Sequence, residues 1–221
     1  MNIEVKNSTE SAVIAHLIAD KITNQLSVGR HVTWLVAGGS CVPIAVEAAK
    51  LIDPSIQAKL VVSLTDERYG PVDHRDSNWY QLQQAWFNLP HATLVPVLTG
   101  GDRTTTVAQF NAFLKTELAC TDYAFGLFGI GVDGHTSGIL PHSPAVESPA
   151  LVATYDGGGY ERITTTAHTI LRVSEAVIFA AGEAKWSALA TLLRTDAPTA
   201  DQPAQLLKQI QKSTLFTDYH L

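Results

Sequence analysis

Short unbroken apolar runs alternate along this chain with stretches whose apolar residues return every three or four positions. The runs at residues 32–36, 60–64, 123–130 and 176–181 are rich in Val, Ile, Leu and Phe and carry no charge. That is the pattern of strands covered on both faces, as in a parallel α/β sheet. Between them, Val13, Ile14, Leu17, Ile18, Ile22 and Leu26 mark one helical face, preceded by Asn7-Ser8-Thr9-Glu10, which has the spacing of a capping box. Further helices are expected over residues 43–51, around Trp79, Leu82, Trp86 and Phe87, around Val107, Phe110, Phe113, Leu114 and Leu118, around Trp186, Leu189 and Leu192, and over 203–210. Asp76 or Ser77 is placed to cap the second-named of these. More polar strands are expected at 93–97, where Pro96 points to a sheet edge, at 151–154, at 162–166, and at 213–218 to close the chain, with Gly157-Gly158-Gly159 a flexible tip.

Strands alternating with helices predict a doubly wound, mostly parallel α/β sheet with helices on both faces. No Pro/Ser/Gly-rich linker or shift in composition divides the 221 residues, so residues 1–221 read as one domain. Composition narrows the partners. The net charge of −6, with no basic stripe, argues against nucleic acid. Two cysteines, Cys41 and Cys120, give neither a disulfide framework nor paired metal-ligand spacing. The start, Met1-Asn2-Ile3-Glu4-Val5-Lys6, lacks the features of a signal peptide, and no apolar stretch nears the ~20 residues of a membrane span, so a cytoplasmic protein is expected.

Candidate chemistry gathers where the strands end, which in such folds is where ligands bind. The run 123–130 opens into Gly131-Val132-Asp133-Gly134-His135, and glycines at 129, 131 and 134 permit positive φ or close approach to a ligand. His135 is then an imidazole held just outside the sheet, able to take a proton from water near neutral pH. A lone histidine beside a strand end is commonly structural, but His135 has companions. After residue 36 come Gly38, Gly39 and Ser40, whose backbone N–H groups at a helix start favour an anion. After residue 64 come Asp66, Glu67 and Arg68, readable also as a solvated loop with an internal ion pair. After residue 181, Lys185 falls in the first turn of a helix, where a cation is unfavourable unless an anion joins it.

In order along nearly the whole chain, these elements resemble the 6-phosphogluconolactonase family, within the group that includes glucosamine-6-phosphate deaminase. The most specific pieces are Gly129-Ile130-Gly131-Val132-Asp133-Gly134-His135-Thr136 and Asp66-Glu67-Arg68 with Asp76-Ser77-Asn78; Glu161-Arg162-Ile163-Thr164 and Gly182-Glu183-Ala184-Lys185 add support. The resemblance implies a Rossmann-like fold of the sugar-phosphate isomerase/lactonase type. It also implies hydrolysis of 6-phosphogluconolactone in the oxidative pentose phosphate pathway, without metal or organic cofactor. His135 would be the general base, and Asp133 would sit close by and orient either the imidazole or the sugar. Arg68, Lys185 and the Gly38-Gly39-Ser40 turn would hold the 6-phosphate, Asp66 would lie among the substrate-binding residues, and Arg162 is a further candidate. The partner is then a small phosphorylated sugar lactone, and monomer and homodimer both stay open. The chain departs from the family in Gly38-Gly39-Ser40-Cys41-Val42-Pro43, where the family reads Gly-Gly-Ser-Thr-Pro, and in Thr136-Ser137-Gly138-Ile139-Leu140-Pro141-His142 after the histidine.

Three other readings compete. A phosphorylated amino-sugar isomerase or deaminase shares the Asp-Gly-His core, but its pattern has Ile after the histidine and an Asn-Glu-Pro further on, where this chain has Thr136 and Ile139-Leu140-Pro141. A non-catalytic sugar-phosphate sensor fits the altered glycine turn and conflicts with the intact Asp133, His135, Arg68 and Lys185. A metal site of His135, His142 and Asp133 has no spacing that requires it.

Overall fold

The computed structural model describes residues 3–220. In chain order the elements are β1 (Ile3–Asn7), α1 (Ser11–Ser27), β2 (Val32–Val36), α2 (Val42–Leu51), β3 (Leu60–Leu64), β4 (Asp66–Arg68), α3 (Asn78–Gln84), β5 (Thr93–Leu94), α4 (Arg103–Cys120), β6 (Tyr123–Gly129), β7 (Val152–Gly157), β8 (Tyr160–Thr165), α5 (Ala167–Ile170), β9 (Glu175–Phe179), α6 (Trp186–Arg194) and β10 (Lys212–Thr217). Seven strands form one sheet in the order β1-β10-β9-β6-β2-β3-β5, with every pairing parallel. The apolar runs earn this position: all five residues of β2 and of β3 are buried, as are Tyr123 to Phe128 of β6. From β2 the chain steps outward through β3 to β5, then returns to the other side of β2 with β6. The β2–β6 boundary is thus the switch point of the winding, where the loops leave in opposite directions and open a crevice.

A second, three-stranded antiparallel sheet, β4-β8-β7, was not expected from the sequence. Thr65 forms the joint. Its N–H donates to Val36 O of the large sheet at 3.0 Å, and its carbonyl accepts from Thr165 N of the small one at 2.9 Å. The chain therefore leaves the parallel sheet at Leu64 and enters the small sheet at Asp66, which sets Asp66 and Arg68 of β4 beside the crevice.

Several expectations are corrected. Helix α1 starts at Ser11, and its N-cap Glu10 makes no side-chain cap, so the capping box at residues 7–10 does not form; Asn7 ends β1 instead. Strand β1 was missed, and Met1 and Asn2 of that stretch lie outside the described residues. Val13 is exposed. Trp86 lies beyond α3 with φ 65 and is 83% exposed, so it is no part of a buried helical face. The glycines at 157–159 are a tight hairpin turn between β7 and β8, with positive φ at Gly158 and Gly159. Residues 203–210 form a 3₁₀ helix, Pro203–Gln209. As expected, Ser77 caps α3 through Tyr80 N, and β5 is at the sheet edge, though it is only two residues long.

Candidate active site

A pocket of about 330 Å³ opens at the switch point, lined by Ala37, Gly38, Gly39, Ser40, Asp66, Arg68, Asn78, Gly129 to Val132, His135, Ser137 and Lys185. Its volume is at the low end for small-molecule sites, ~300–1,000 Å³, which suits a sugar phosphate better than a dinucleotide.

The histidine loop is built by its own backbone. Gly131 N–H donates to His135 O at 2.9 Å, Gly134 N–H to Gly131 O at 3.0 Å, and Thr136 Oγ1 to Gly129 O at 2.9 Å. Of the three glycines expected to supply positive φ or close approach, Gly134 alone has positive φ, 80°. Gly131 supplies space: a Cβ there would overlap Cε1 and Nδ1 of the His135 ring. The close approach seen at Gly131 is to the imidazole.

Inside this loop His135 Nδ1 lies 2.5 Å from Asp133 Oδ1, and the same oxygen accepts His135 N–H at 3.1 Å. Burial alone would raise the pKa of Asp133, but the His135 charge and hydrogen bonds from its N–H and ring outweigh it and hold the carboxyl below its ordinary value. An ionised carboxylate accepts only, so Nδ1 carries the hydrogen, and the nitrogen left to exchange a proton at the pocket is Nε2. Asp133 sits behind the ring and does not line the pocket; His135 does.

Facing this pair, Gly38, Gly39 and Ser40 lead through a 3₁₀ turn, Gly39–Cys41, into α2. Gly39 has φ 60, while Gly38 is needed because a Cβ would overlap the Asn78 amide. The first turn of α2 has no side-chain cap, but Cys41 N–H and Val42 N–H are given to Gly38 O and Gly39 O and Pro43 carries none, so the residues of this segment that line the pocket are Gly38, Gly39 and Ser40, ahead of the helix. Cys41 is fully buried under the turn. Desolvation pushes its thiol pKa to about 12 and outweighs the Lys185 charge, so it is packing, not a nucleophile.

Arg68 and Lys185 complete the wall. Neither forms an ion pair with a carboxylate among the described residues. Lys185 ends the 3₁₀ turn Glu183–Lys185 immediately before α6, one step ahead of the helical turn expected for it. Arg68 donates from Nη1 to Asp76 O at 3.0 Å and packs on Tyr160, its Cζ 5.2 Å from the ring centre. The β4–β8 register sets Arg68 opposite Arg162, a like-charge pair that is unfavourable by itself. Arg162 shares the Tyr160 ring at 5.6 Å, but its Nε donates to Gly157 O at 2.8 Å and the residue does not line the pocket. Asp66 does line it, 5% exposed, with a hydrogen bond from Thr65 Oγ1 at 3.0 Å.

The charged stretch 66–68 is therefore no solvated loop. Glu67 is fully buried and accepts four hydrogen bonds, from Arg68 N, Asn78 N and Trp79 N and from Ser77 Oγ, at 2.7 to 3.1 Å. Burial pushes its pKa up and these donors pull against that. The carboxylate ties the start of α3 to β4, and Asn78 Nδ2 then reaches Asp66 O at 2.8 Å. Sequence reasoning gave no role to Asn78, Ser137 or Tyr160, since their importance lies in contacts across elements. As for the metal reading, His142 Nε2 lies 3.3 Å from Asp201 Oδ1, and the described residues contain no cluster of three ligating side chains.

The family model of glucosamine-6-phosphate isomerases/6-phosphogluconolactonase matches residues 6–216. The chain is 31% identical over 160 residues to a 6-phosphogluconolactonase of a Synechocystis species, covering 68% of this chain and 67% of that one. It is 29% identical over 218 residues to a 6-phosphogluconolactonase of a Nostoc species, covering 91% and 88%. Among solved structures it superimposes on the 6-phosphogluconolactonase of Thermotoga maritima with a TM-score of 0.82 at 21% identity, over 97% of this chain and 98% of that one. That of Trypanosoma brucei gives 0.77 at 19%, over 97% and 95%. At these identities the structural likeness shows the fold. No helix among the described residues is long and apolar enough to cross a membrane.

Proposed function

The chain belongs to the glucosamine-6-phosphate isomerase/6-phosphogluconolactonase family, and within it we propose that His135 activates the water that hydrolyses 6-phosphoglucono-1,5-lactone to 6-phosphogluconate. This is the lactone-opening step of the oxidative pentose phosphate pathway, and its place of work is the cytoplasm. The observation that carries the reading is one pocket holding His135, backed by Asp133, together with Arg68 and Lys185, two cations with no carboxylate in ion-pair contact among the described residues. Base and anion site face one cavity.

The phosphate sits between Arg68 and Lys185, over the Gly39 and Ser40 backbone just ahead of α2. Its binding energy fixes the far end of the sugar, C1, against His135. A water molecule then attacks C1 as His135 Nε2 takes its proton, and the carbonyl π pair moves onto the carbonyl oxygen. Asp133 stabilises the imidazolium across Nδ1. When the oxyanion collapses, the C1–O5 bond breaks, O5 leaves with the electron pair, and the imidazolium returns its proton to O5. Atoms and charge balance with no covalent enzyme intermediate. A lactone carbonyl is reactive already, so one base worth ~10²–10⁴-fold is enough. Asp66 faces the sugar as a hydroxyl acceptor, and Arg162 acts on the phosphate only through the shared Tyr160 ring.

The test is hydrolysis of freshly generated lactone, coupled to oxidation of 6-phosphogluconate, with the spontaneous opening subtracted. Wild-type protein should hydrolyse it, His135→Ala should lose ~10²-fold or more in kcat, and Arg68→Ala and Lys185→Ala should raise KM. Undiminished kcat in His135→Ala sinks the base assignment, and unchanged KM in both cation variants sinks the phosphate site.

A further inference from the structure

The turn that follows the histidine carries an unexplained cost. Ile139 N–H donates to Thr136 O at 3.0 Å, closing a four-residue turn over Ser137 and Gly138. Ser137, its second residue, has φ 52. Turns with positive φ at that position favour glycine, because any Cβ there is strained. Gly138 does not share the burden: its φ is not positive, and a Cβ would press on Thr164 and Asp66. The turn is rigidly held on both sides. Thr136 Oγ1 donates to Gly129 O, Gly138 N–H to Thr164 Oγ1 at 3.0 Å, and Tyr155 Oη bridges Gly138 O and Leu140 N–H.

A serine thus stands where glycine would sit without strain, and its hydroxyl does nothing for the fold. Ser137 is 8% exposed and lines the pocket, and its buried Oγ has no hydrogen-bond partner among the described residues. A buried hydroxyl without a partner is uncommon and calls for one. Of the other side-chain donors around the pocket, Asn78 Nδ2 is bound to Asp66 O and His135 Nδ1 to Asp133, while Arg68, whose buried Nε is likewise unpartnered, and Lys185 are the cations assigned above to the phosphate, and Ser40 stands in the glycine turn assigned to the same anion. On the histidine's own loop the uncommitted donor is Ser137, two residues from the base.

We propose that Ser137 is a further catalytic residue, whose Oγ–H donates to the lactone carbonyl oxygen as it gains negative charge under attack by the His135-activated water. The proposal rests on the lactonase reading above. In the tetrahedral intermediate the carbonyl π pair resides on that oxygen, and the hydroxyl contributes a hydrogen bond that strengthens with the charge. No proton leaves Ser137, and no bond to it forms.

Two variants separate the hydroxyl from the backbone: Ser137→Gly removes the Oγ and relieves the positive φ, and Ser137→Ala removes the Oγ and keeps the strain. Both are measured beside wild type in the coupled lactone assay, with thermal melting alongside. The expected result is a fall in kcat on the order of 10- to 100-fold in both, KM within about threefold of wild type, and a melting temperature for Ser137→Gly no lower than wild type. Wild-type kcat in both variants overturns the proposal, as does a fall in the alanine variant alone, which would mark a backbone effect. A raised KM with unchanged kcat also overturns it, assigning Ser137 to a ground-state sugar hydroxyl. Wild-type protein without lactonase activity would instead defeat the reading on which the proposal rests.

Discussion

Replacing Gly131 by alanine tests whether catalysis depends on where the imidazole is held. The perturbation is one methyl group, placed where Cβ would overlap His135 Cε1 and Nδ1 and lie 2.8 Å from Asp133 Oδ1. Carbon contacts settle at about 3.5–4.0 Å, so the ring must retreat by roughly 1 Å or more, and the 2.5 Å Nδ1–Asp133 bond cannot survive unchanged. Misplacing a reacting group by about 1 Å costs on the order of 10²-fold. Losing a hydrogen bond to a charged group costs about 1.5–3 kcal/mol, or roughly 10- to 150-fold. The two losses share one cause and do not multiply, so kcat should fall ~10²- to 10³-fold. KM should stay within a few-fold, because Arg68 and Lys185 stand on other elements. Stability should fall modestly: Gly131 does not have positive φ, so the stiffer unfolded chain returns about 0.4–1 kcal/mol, but crowding the His135 ring costs about 1–3 kcal/mol. The assay is coupled lactone hydrolysis with thermal melting in parallel. A Gly131→Ala protein with kcat within threefold of wild type and an unchanged melting temperature would refute the reasoning, because the ring position would then be immaterial.

Asp133→Asn should keep the loop and lose ~10-fold or more in kcat, since an amide stabilises the imidazolium less than a carboxylate. The folded pKa of Asp133 is lowered, so its charge and the stability it adds are complete above the ordinary carboxylate value and are lost only as pH falls through the lowered one. A wild-type pH–rate limb at pH 5–7 that vanishes in Asp133→Asn would contradict this. Glu67→Gln sets an amide donor against the donors Trp79 N–H and Ser77 Oγ–H in a buried site. An unsatisfied buried donor costs about 1–3 kcal/mol, and relief of the buried charge returns part of the loss. A melting temperature lowered by roughly 2–8 °C is expected; an unchanged one would show that the four-donor site does not anchor α3. Cys41, its pKa near 12, should resist iodoacetamide in the native protein at pH 8 while exposed Cys120 reacts, giving one label per chain and two after denaturation. Because the Cys41 pKa is raised, the stability tied to its protonated form is complete below the ordinary thiol value and erodes as pH climbs toward 12. Two labels on the native chain would contradict its burial.

The sequence reveals those parts of this protein whose chemistry is local. Strands β2, β3, β6 and β9 are buried on both faces, so their apolar runs were unbroken and readable. The His135–Asp133 pair was readable because two residues of separation put them on one loop. What escaped was made by partners far apart in the chain. Residues 66–68 were readable as crevice chemistry and equally as a solvated loop, because three charges in a row seldom enter a sheet, and Glu67 does so only because residues 77–79 bring it donors. The antiparallel sheet was invisible for the same reason: β4 is three residues of charge, and β8 supplies its register from a hundred residues away. Arg162 was enlisted because it stands in a motif, yet its Nε is spent on the hairpin at Gly157.

The glycines mark where such reading stops. In sequence Gly38, Gly131 and Gly134 look alike, as freedom for the backbone, but φ is positive only at Gly134. Gly38 and Gly131 are fixed by what presses on them, the Asn78 amide and the His135 ring. Those two contacts are the ones that define the site: one seats the glycine turn against α3, and through it the Glu67 anchor, while the other seats the imidazole against Asp133. A glycine kept for the space beside it cannot be told from one kept for its φ until the neighbour is known. Ser137 is the converse case, a side chain retained where the backbone would prefer none. Its meaning lies in a partner missing from the protein itself, which is why a substrate oxygen is the natural one to supply.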